Sequence, residues 1–175
     1  DAPQSLDVIT SRDIEGRRNA RDTVSISGSD NGRYRVRNVL VDNVRCYDSS
    51  LRGAVEVSDG SEHITVRKVY AESSVYAVDF QDHNHTNQIN RHVVIQDVYA
   101  VRCKHAIRSA NHPFGHAHLT VTDLTAQECR LPVQLSHVNH LILANLRILD
   151  HDSKDAPISI DNCHNVSVRD VTLEN

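Results

Sequence analysis

Apolar and polar residues alternate in short bursts along the whole chain. An apolar-x-apolar step, two intervening residues and a second such step recur as "ITVRKVYA", "VVIQDVYA", "LTVTDLTA", "LILANLRI" and "VSVRDVTL", with weaker copies "YRVRNVLV" and "ITSRDIEG" before them. Taking the third residue of each unit as a marker gives Ser11, Val36, Val66, Ile95, Val121, Leu143 and Val168, separated by 25, 30, 29, 26, 22 and 25 residues. A second alternating element lies between these units: "TVSISGS", "AVEVSDG", "AVDFQDH", "AIRSANH", "PVQLSHV" and "PISIDNC". Alternation with period two is strand behaviour. Its recurrence at a near-constant interval predicts a stacked solenoid, in which each unit buries its apolar side against the next.

Each repeat predicts three short strands, over 64–67, 69–73 and 77–81 in the third copy. A single residue separates the first two strands: Asp13, Asn38, Lys68, Asp97, Asp123, Asn145 and Asp170 in turn. Asn and Asp tolerate the left-handed backbone that a one-residue corner demands. The expected fold is all-β, a right-handed parallel β-helix of about seven coils with three short strands per coil, occupying 1–175 as one domain. On these repeats the chain resembles the pectate-lyase-like superfamily, which includes lyases, hydrolases, epimerases, phage tailspikes and non-catalytic sugar-binding modules. An antiparallel sandwich is the competing fold, but the hairpin dipeptide Asn-Gly occurs once, in "DNG" at 30–32.

Stacked coils place equivalent residues about 4.8 Å apart, so each column can be read across repeats. His63, His92, His118 and His140, followed by Asn165, form a column just before the first strand and read as a structural ladder. Cys103 and Cys129 each lie eight residues past their markers, which makes them neighbours, either bonded or two buried thiols. The outward residues of the third strand are Ser25, Glu56, Asp79, Arg108, Gln134 and Ser159, with a second column of Ser27, Ser58, Gln81, Ala110, Ser136 and Asp161. Tyr70 and Tyr99 share an outward column of the second strand, with Leu40 expected below and Thr125 above.

Charge and composition narrow the partners. A net charge of −4 gives no uniform basic field for nucleic acid. No run of eighteen apolar residues and no charged leader before an apolar segment suggests a membrane span. The start at "DAPQSLD" is read as a mature secreted chain, a trimmed tag or a module excised from a larger secreted protein, with a bacterial source expected. The four cysteines lack zinc-ligand spacing.

The resemblance implies sugar binding along the third strand. The first expectation is a non-catalytic carbohydrate-binding module for a plant cell-wall polysaccharide such as xylan, similar to the β-helical xylan-binding modules attached to xylanases and itself linked to a catalytic domain. Its candidate residues are Glu56, Asp79, Gln81, Lys104, His105, Arg108, Arg130 and Gln134, whose donors and acceptors suit sugar hydroxyls and carboxylates, together with Tyr70 and Tyr99 as an aromatic surface. Such binding needs no cofactor. The alternative is a polysaccharide lyase performing β-elimination on a uronate glycan, with calcium on Glu56 and Asp79, Lys104 or Arg108 as base and Arg130 on the substrate carboxylate. A polygalacturonase-like hydrolase would need paired carboxylates before successive third strands, and they are missing. His83, His85, His112 and His116, on neighbouring turns, are a further candidate cluster for a transition metal.

Overall fold

A computed structural model describes residues 4–28, 34–83, 88–109, 115–151 and 153–174, without side-chain detail for 4–7 and 34. Thirteen strands and no helix are seen among them. Seven long strands, β1 (Gln4–Arg17), β3 (Tyr34–Tyr47), β5 (Glu62–Glu72), β7 (Arg91–Val101), β9 (His116–Gln127), β11 (Val138–Leu149) and β13 (His164–Glu174), form one parallel sheet in chain order. Six short strands, β2 (Val24–Ser27), β4 (Val55–Ser58), β6 (Tyr76–Gln81), β8 (His105–Ser109), β10 (Val133–Ser136) and β12 (Ile158–Asp161), form a second parallel sheet, again in chain order. The fold is the expected parallel β-solenoid. It has about five turns, slightly fewer than the seven coils expected.

The two expected strands flanking each corner merge into one long strand, because a single left-handed residue bends the chain without interrupting the hydrogen-bonded ladder. Left-handed residues in fact recur every five positions: Val8, Asp13 and Arg18 in the first rung, His63, Lys68 and Ser73 in the third, and His118, Asp123 and Glu128 in the fifth. Between them the chain reads in, out, in, out. This pentad explains the two-residue gap in the sequence pattern, which is one outward residue followed by one left-handed corner.

The register of the second rung differs from the expected one. Val41, not Val36, aligns with Ser11 and Val66, and Asn43 rather than Asn38 lies at the central corner. "YRVRN" and "VLVDN" are successive pentads of similar pattern, so the sequence slips by one of them. Asn38 falls instead in the histidine column, and the residue below Tyr70 is Arg45, with Leu40 paired to Thr65.

The core is built from columns of like residues. Val41, Val66, Ile95, Val121 and Leu143 stack in one, and Val44, Val69, Val98, Leu124 and Leu146 in another, none more than 2% exposed. Each such side chain contributes about 1.5–3 kcal/mol by leaving water. The short strands close the interior with Val55, Val57, Val78, Phe80, Ile107 and Leu135.

The histidine ladder forms as expected, on left-handed backbone. The imidazoles of His63, His92, His118 and His140 lie parallel within 7°, at successive centroid separations of 4.9, 4.6 and 4.6 Å. At the same level of the first rung stands Val8, a β-branched residue at φ 62° and 80% exposed. A branched Cβ is strained there and no burial offsets the cost. Val8→Asn is therefore expected to raise the free energy of unfolding by about 1 kcal/mol, measured by urea denaturation; a loss would show that Val8 makes a contact that outweighs its backbone strain.

Candidate functional site

The short-strand sheet places the expected outward residues in one column. Ser25 pairs with Glu56, Glu56 with Asp79, Asp79 with Arg108, Arg108 with Gln134 and Gln134 with Ser159. Ser27, Ser58 and Gln81 are in register beside them, as are Ser136 and Asp161; Ala110 lies outside the described residues.

The middle of this column is a closed ionic cluster. Asp79 is fully buried, and the Arg108 guanidinium grips it with two bonds, Nε to Oδ1 at 2.9 Å and Nη2 to Oδ2. Gln81 Nε2 also donates to Asp79. The guanidinium lies 4.8 Å from the centre of the Tyr76 ring, and the Tyr76 hydroxyl donates to Asp22 at 2.6 Å. Burial works most strongly against the Arg108 charge, but the bond to Asp79 and the negative potential of Asp79, Tyr76 and Asp22 together outweigh it and raise its pKa. Gly53 makes the cluster possible: a Cβ there would lie 2.0 Å from the Tyr76 carbonyl oxygen.

At one end of the column, Glu56 accepts from Ser58 Oγ at 3.2 Å and Ser25 Oγ at 3.3 Å, with Arg52 at 3.6 Å. His83 bridges Glu56 and Asp59, its Nε2 3.5 Å from the former and its Nδ1 3.0 Å from the latter. Burial and the nearby Asp22 push the Glu56 carboxyl up. Asp59 is held low despite its burial, by the Ser27 hydroxyl and by His83. Opposite shifts in neighbouring carboxyls suit acid–base work, yet the His83 ring occupies the space between these two. Arg21, Asp22, Ser25, Ser27 and Gly28 join them around a hollow of about 380 Å³. At the other end a hollow of about 590 Å³ lies over Arg108, Gln134, Ser136, Ser159 and Asp161.

The remaining candidates are distributed differently. Lys104 is exposed at the edge of the strip, and Arg130, also exposed, pairs with Asp155 at 3.4 Å. His105 is 1% exposed, and its Nδ1 faces the Leu131 carbonyl at 3.1 Å, so it supports the strand and does not reach the surface. Tyr70 and Tyr99 belong to the long-strand sheet. Their rings stack at 5.9 Å and 12°, with Tyr47 5.6 Å from Tyr70, beside a groove of about 390 Å³ that Asn43, Arg45, Lys68 and Asp97 help to line. Offset stacking turns much of each ring toward its neighbour, which leaves edges as well as faces to solvent.

The described members of both proposed metal sets already have partners within the protein. Glu56 and Asp79 are adjacent, but each already accepts hydrogen bonds from side chains of its own rung and its neighbours. His83 is held by Asp59, while His116 is buried with its Nδ1 3.2 Å from Asn90 Nδ2; His85 and His112 lie outside the described residues. Among the described residues no group of three or more His, Cys, Asp or Glu is placed to hold a metal ion. Cys103 and Cys129 are free, buried neighbours, and a thiol–thiol hydrogen bond to Cys103 together with burial pushes the Cys129 thiol up.

Sequence reasoning missed Asp22, Tyr76 and Asp59. Asp59 was within reach of the column rule, because it follows the outward Ser58 directly. Asp22 and Tyr76 meet across 54 residues and carry no local signal. In comparisons with known proteins, no family model, curated protein or solved structure matches the chain.

Two outcomes follow from the cluster. Asp79→Ala strands a guanidinium that is largely buried, and is expected to cost about 3–5 kcal/mol in denaturant unfolding, with Asp79→Asn costing less; equal, small losses would mean that the ion pair is dispensable. Burial, followed by the charge of Arg108, pushes His105 from 6.5 down to about 4. The unfolded chain therefore takes up this proton more readily than the folded one. Stability that is complete above pH 6.5 falls as the pH drops toward 4, by about 3 kcal/mol from this group. His105→Gln should flatten the stability profile across that window, and an unchanged slope would assign the acid loss to other groups.

Proposed function

We propose that the chain is a non-catalytic carbohydrate-binding module that holds a polysaccharide along the outward face of its short-strand sheet. The reading is carried by the in-register column Ser25, Glu56, Asp79, Arg108, Gln134 and Ser159, which has an open hollow at each end. Successive donors and acceptors about 4.8 Å apart can follow a linear glycan, and the polar, shallow hollows suit sugar hydroxyls better than an apolar ligand. The ionic cluster between them fixes Arg108 and Gln81 in position, so that little side-chain freedom remains to be lost when a ligand is bound.

The resemblance of the rungs to the pectate-lyase-like superfamily, and of the architecture to its xylan-binding modules, supports a plant cell-wall glycan such as xylan as ligand. The same reading makes this a secreted bacterial segment joined to a catalytic domain, needing no cofactor, with no nucleic acid or membrane as partner. Lys104, Arg130 and Gln134 are the exposed members that would meet the ligand. For β-elimination, calcium would have to compete with the Ser25, Ser58, Gln81 and Arg108 donors for Glu56 and Asp79, and the proton-accepting role would pass from the paired Arg108 to Lys104.

Affinity electrophoresis through gels containing xylan or another plant or algal glycan tests the binding reading. Retardation is expected, with affinity falling about tenfold in a Lys104→Ala, Gln134→Ala double variant as two hydrogen bonds of about 0.5–1.5 kcal/mol each are lost. Normal mobility in every glycan would oppose binding, and absorbance from an unsaturated product with uronate polymers and calcium would favour the lyase.

A further inference from the structure

A third hollow, of about 450 Å³, has a different chemistry from the strip. It is lined by Ile89, Arg91, His116, Ala117, His118, His137, Val138, Asn139, Asn162 and His164, with no carboxylate among them. The hollows on the strip include Asp22, Glu56 and Asp59 or Asp161, and the tyrosine groove includes Asp97. On a chain of net charge −4, this hollow gathers one guanidinium, four imidazoles and two amides.

Its shape follows from one column of the long-strand sheet. Arg91 pairs with Ala117, Ala117 with Asn139 and Asn139 with His164. Where the column needs a side chain on β9 it has only a methyl group, so a gap opens between Arg91 on one side and Asn139 and His164 on the other. His118 of the histidine ladder flanks the gap, with His137 and Asn162 on the turns across from it. Gly115 lies against the His137 carbonyl, where a Cβ would come within 1.8 Å of the oxygen, and so fixes that turn. The buried Nδ1 of His137 has no hydrogen-bond partner among the described residues.

We propose that this hollow is an oxyanion-binding site, taking a carboxylate or a sulfate group between Arg91, His118, His137, Asn139 and His164. The inference is independent of the polysaccharide reading, since a free anion satisfies the same donors as the acidic substituent of a glycan. Arg91 supplies a fork suited to two oxygens, and the imidazoles donate from either nitrogen once protonated. The nearest carboxylates compete weakly. Glu62, next below Arg91 in the column, is already paired with Arg35 at 3.0 Å and Arg37 at 3.3 Å, and Asp161 accepts from Asn162. Loss of solvent, followed by the charges of His140, His92 and Arg91, holds His118 below the ordinary histidine value. A bound anion reverses that balance, so binding takes up protons and strengthens as the pH falls.

Imidazole NMR of the intact chain tests the site, with sodium sulfate, sodium glucuronate and neutral glucose titrated separately at constant chloride-balanced ionic strength. The expected result is a saturable shift of His118, His137 and His164 with sulfate, glucuronate or both, and none with glucose. Sulfate alone identifies a free inorganic anion as the ligand, and glucuronate binding identifies a sugar carboxylate. Affinity should fall about tenfold between pH of about 5.5 and about 7.5. Arg91→Gln and, separately, His164→Gln, both exposed positions, should each weaken it severalfold without changing the melting temperature. Shifts that do not saturate, that glucose reproduces, or that both variants leave intact would overturn the proposal.

Discussion

A left-handed residue every five positions is the constraint on which this solenoid rests. It lets each long strand change direction without losing its ladder, and it fixes which residues point inward on both sides of the bend. Where that residue is Asp or Asn the backbone accepts the conformation at small cost. Where it is histidine, the side chains lie in the same orientation on successive rungs and become a stack of parallel rings.

Parallel stacking in register has an electrostatic consequence, since each charge is repeated near its own kind unless the sequence alternates. The central corner column shows how this is managed: Asp13, Asn43, Lys68, Asp97, Asp123, Asn145 and Asp170 never place three carboxylates in succession. Amides join neighbouring rungs, with Asn43 donating to Asp13 at 2.6 Å and Asn145 to Asp123. On the short-strand sheet the adjacent acids Glu56 and Asp79 are followed by Arg108, which allows Asp79 to be buried completely. The column from Arg91 to His164 lacks such a counter-charge beyond Glu62, and its open gap makes it receptive to anions.

Repetition is what made the fold legible. Strand alternation, corner residues, histidine ladder and outward columns each recur several times, so one weak copy does little harm. The exception, Asn38 for Asn43, arose because two pentads within one rung resemble each other as closely as two rungs do. The site was legible only as far as it is repetitive. Glu56, Asp79, Arg108 and Gln134 followed from the column rule, whereas the burial of His105 and the meeting of Tyr76 with Asp22 depend on how particular connections fold over the strip. Pairing Tyr70 with Tyr99 was correct as a column, but ring inclination cannot be read from spacing.

The distance from first to last left-handed residue of a long strand is constant, as in His63 to Ser73, His92 to Arg102 and His118 to Glu128. Connections from a short strand to the next long one instead range from the single residue His137 to the nine residues 82–90. Deleting one residue within a pentad would reverse the facing of everything beyond it in that strand, whereas an insertion in a connection leaves the frame as it was. Heritable change in what the surface recognises therefore has an open route through the connections, which help to line two of the three polar hollows, while whole rungs can be gained or lost by duplication. Architecture and selectivity can thus diverge at separate rates in one chain.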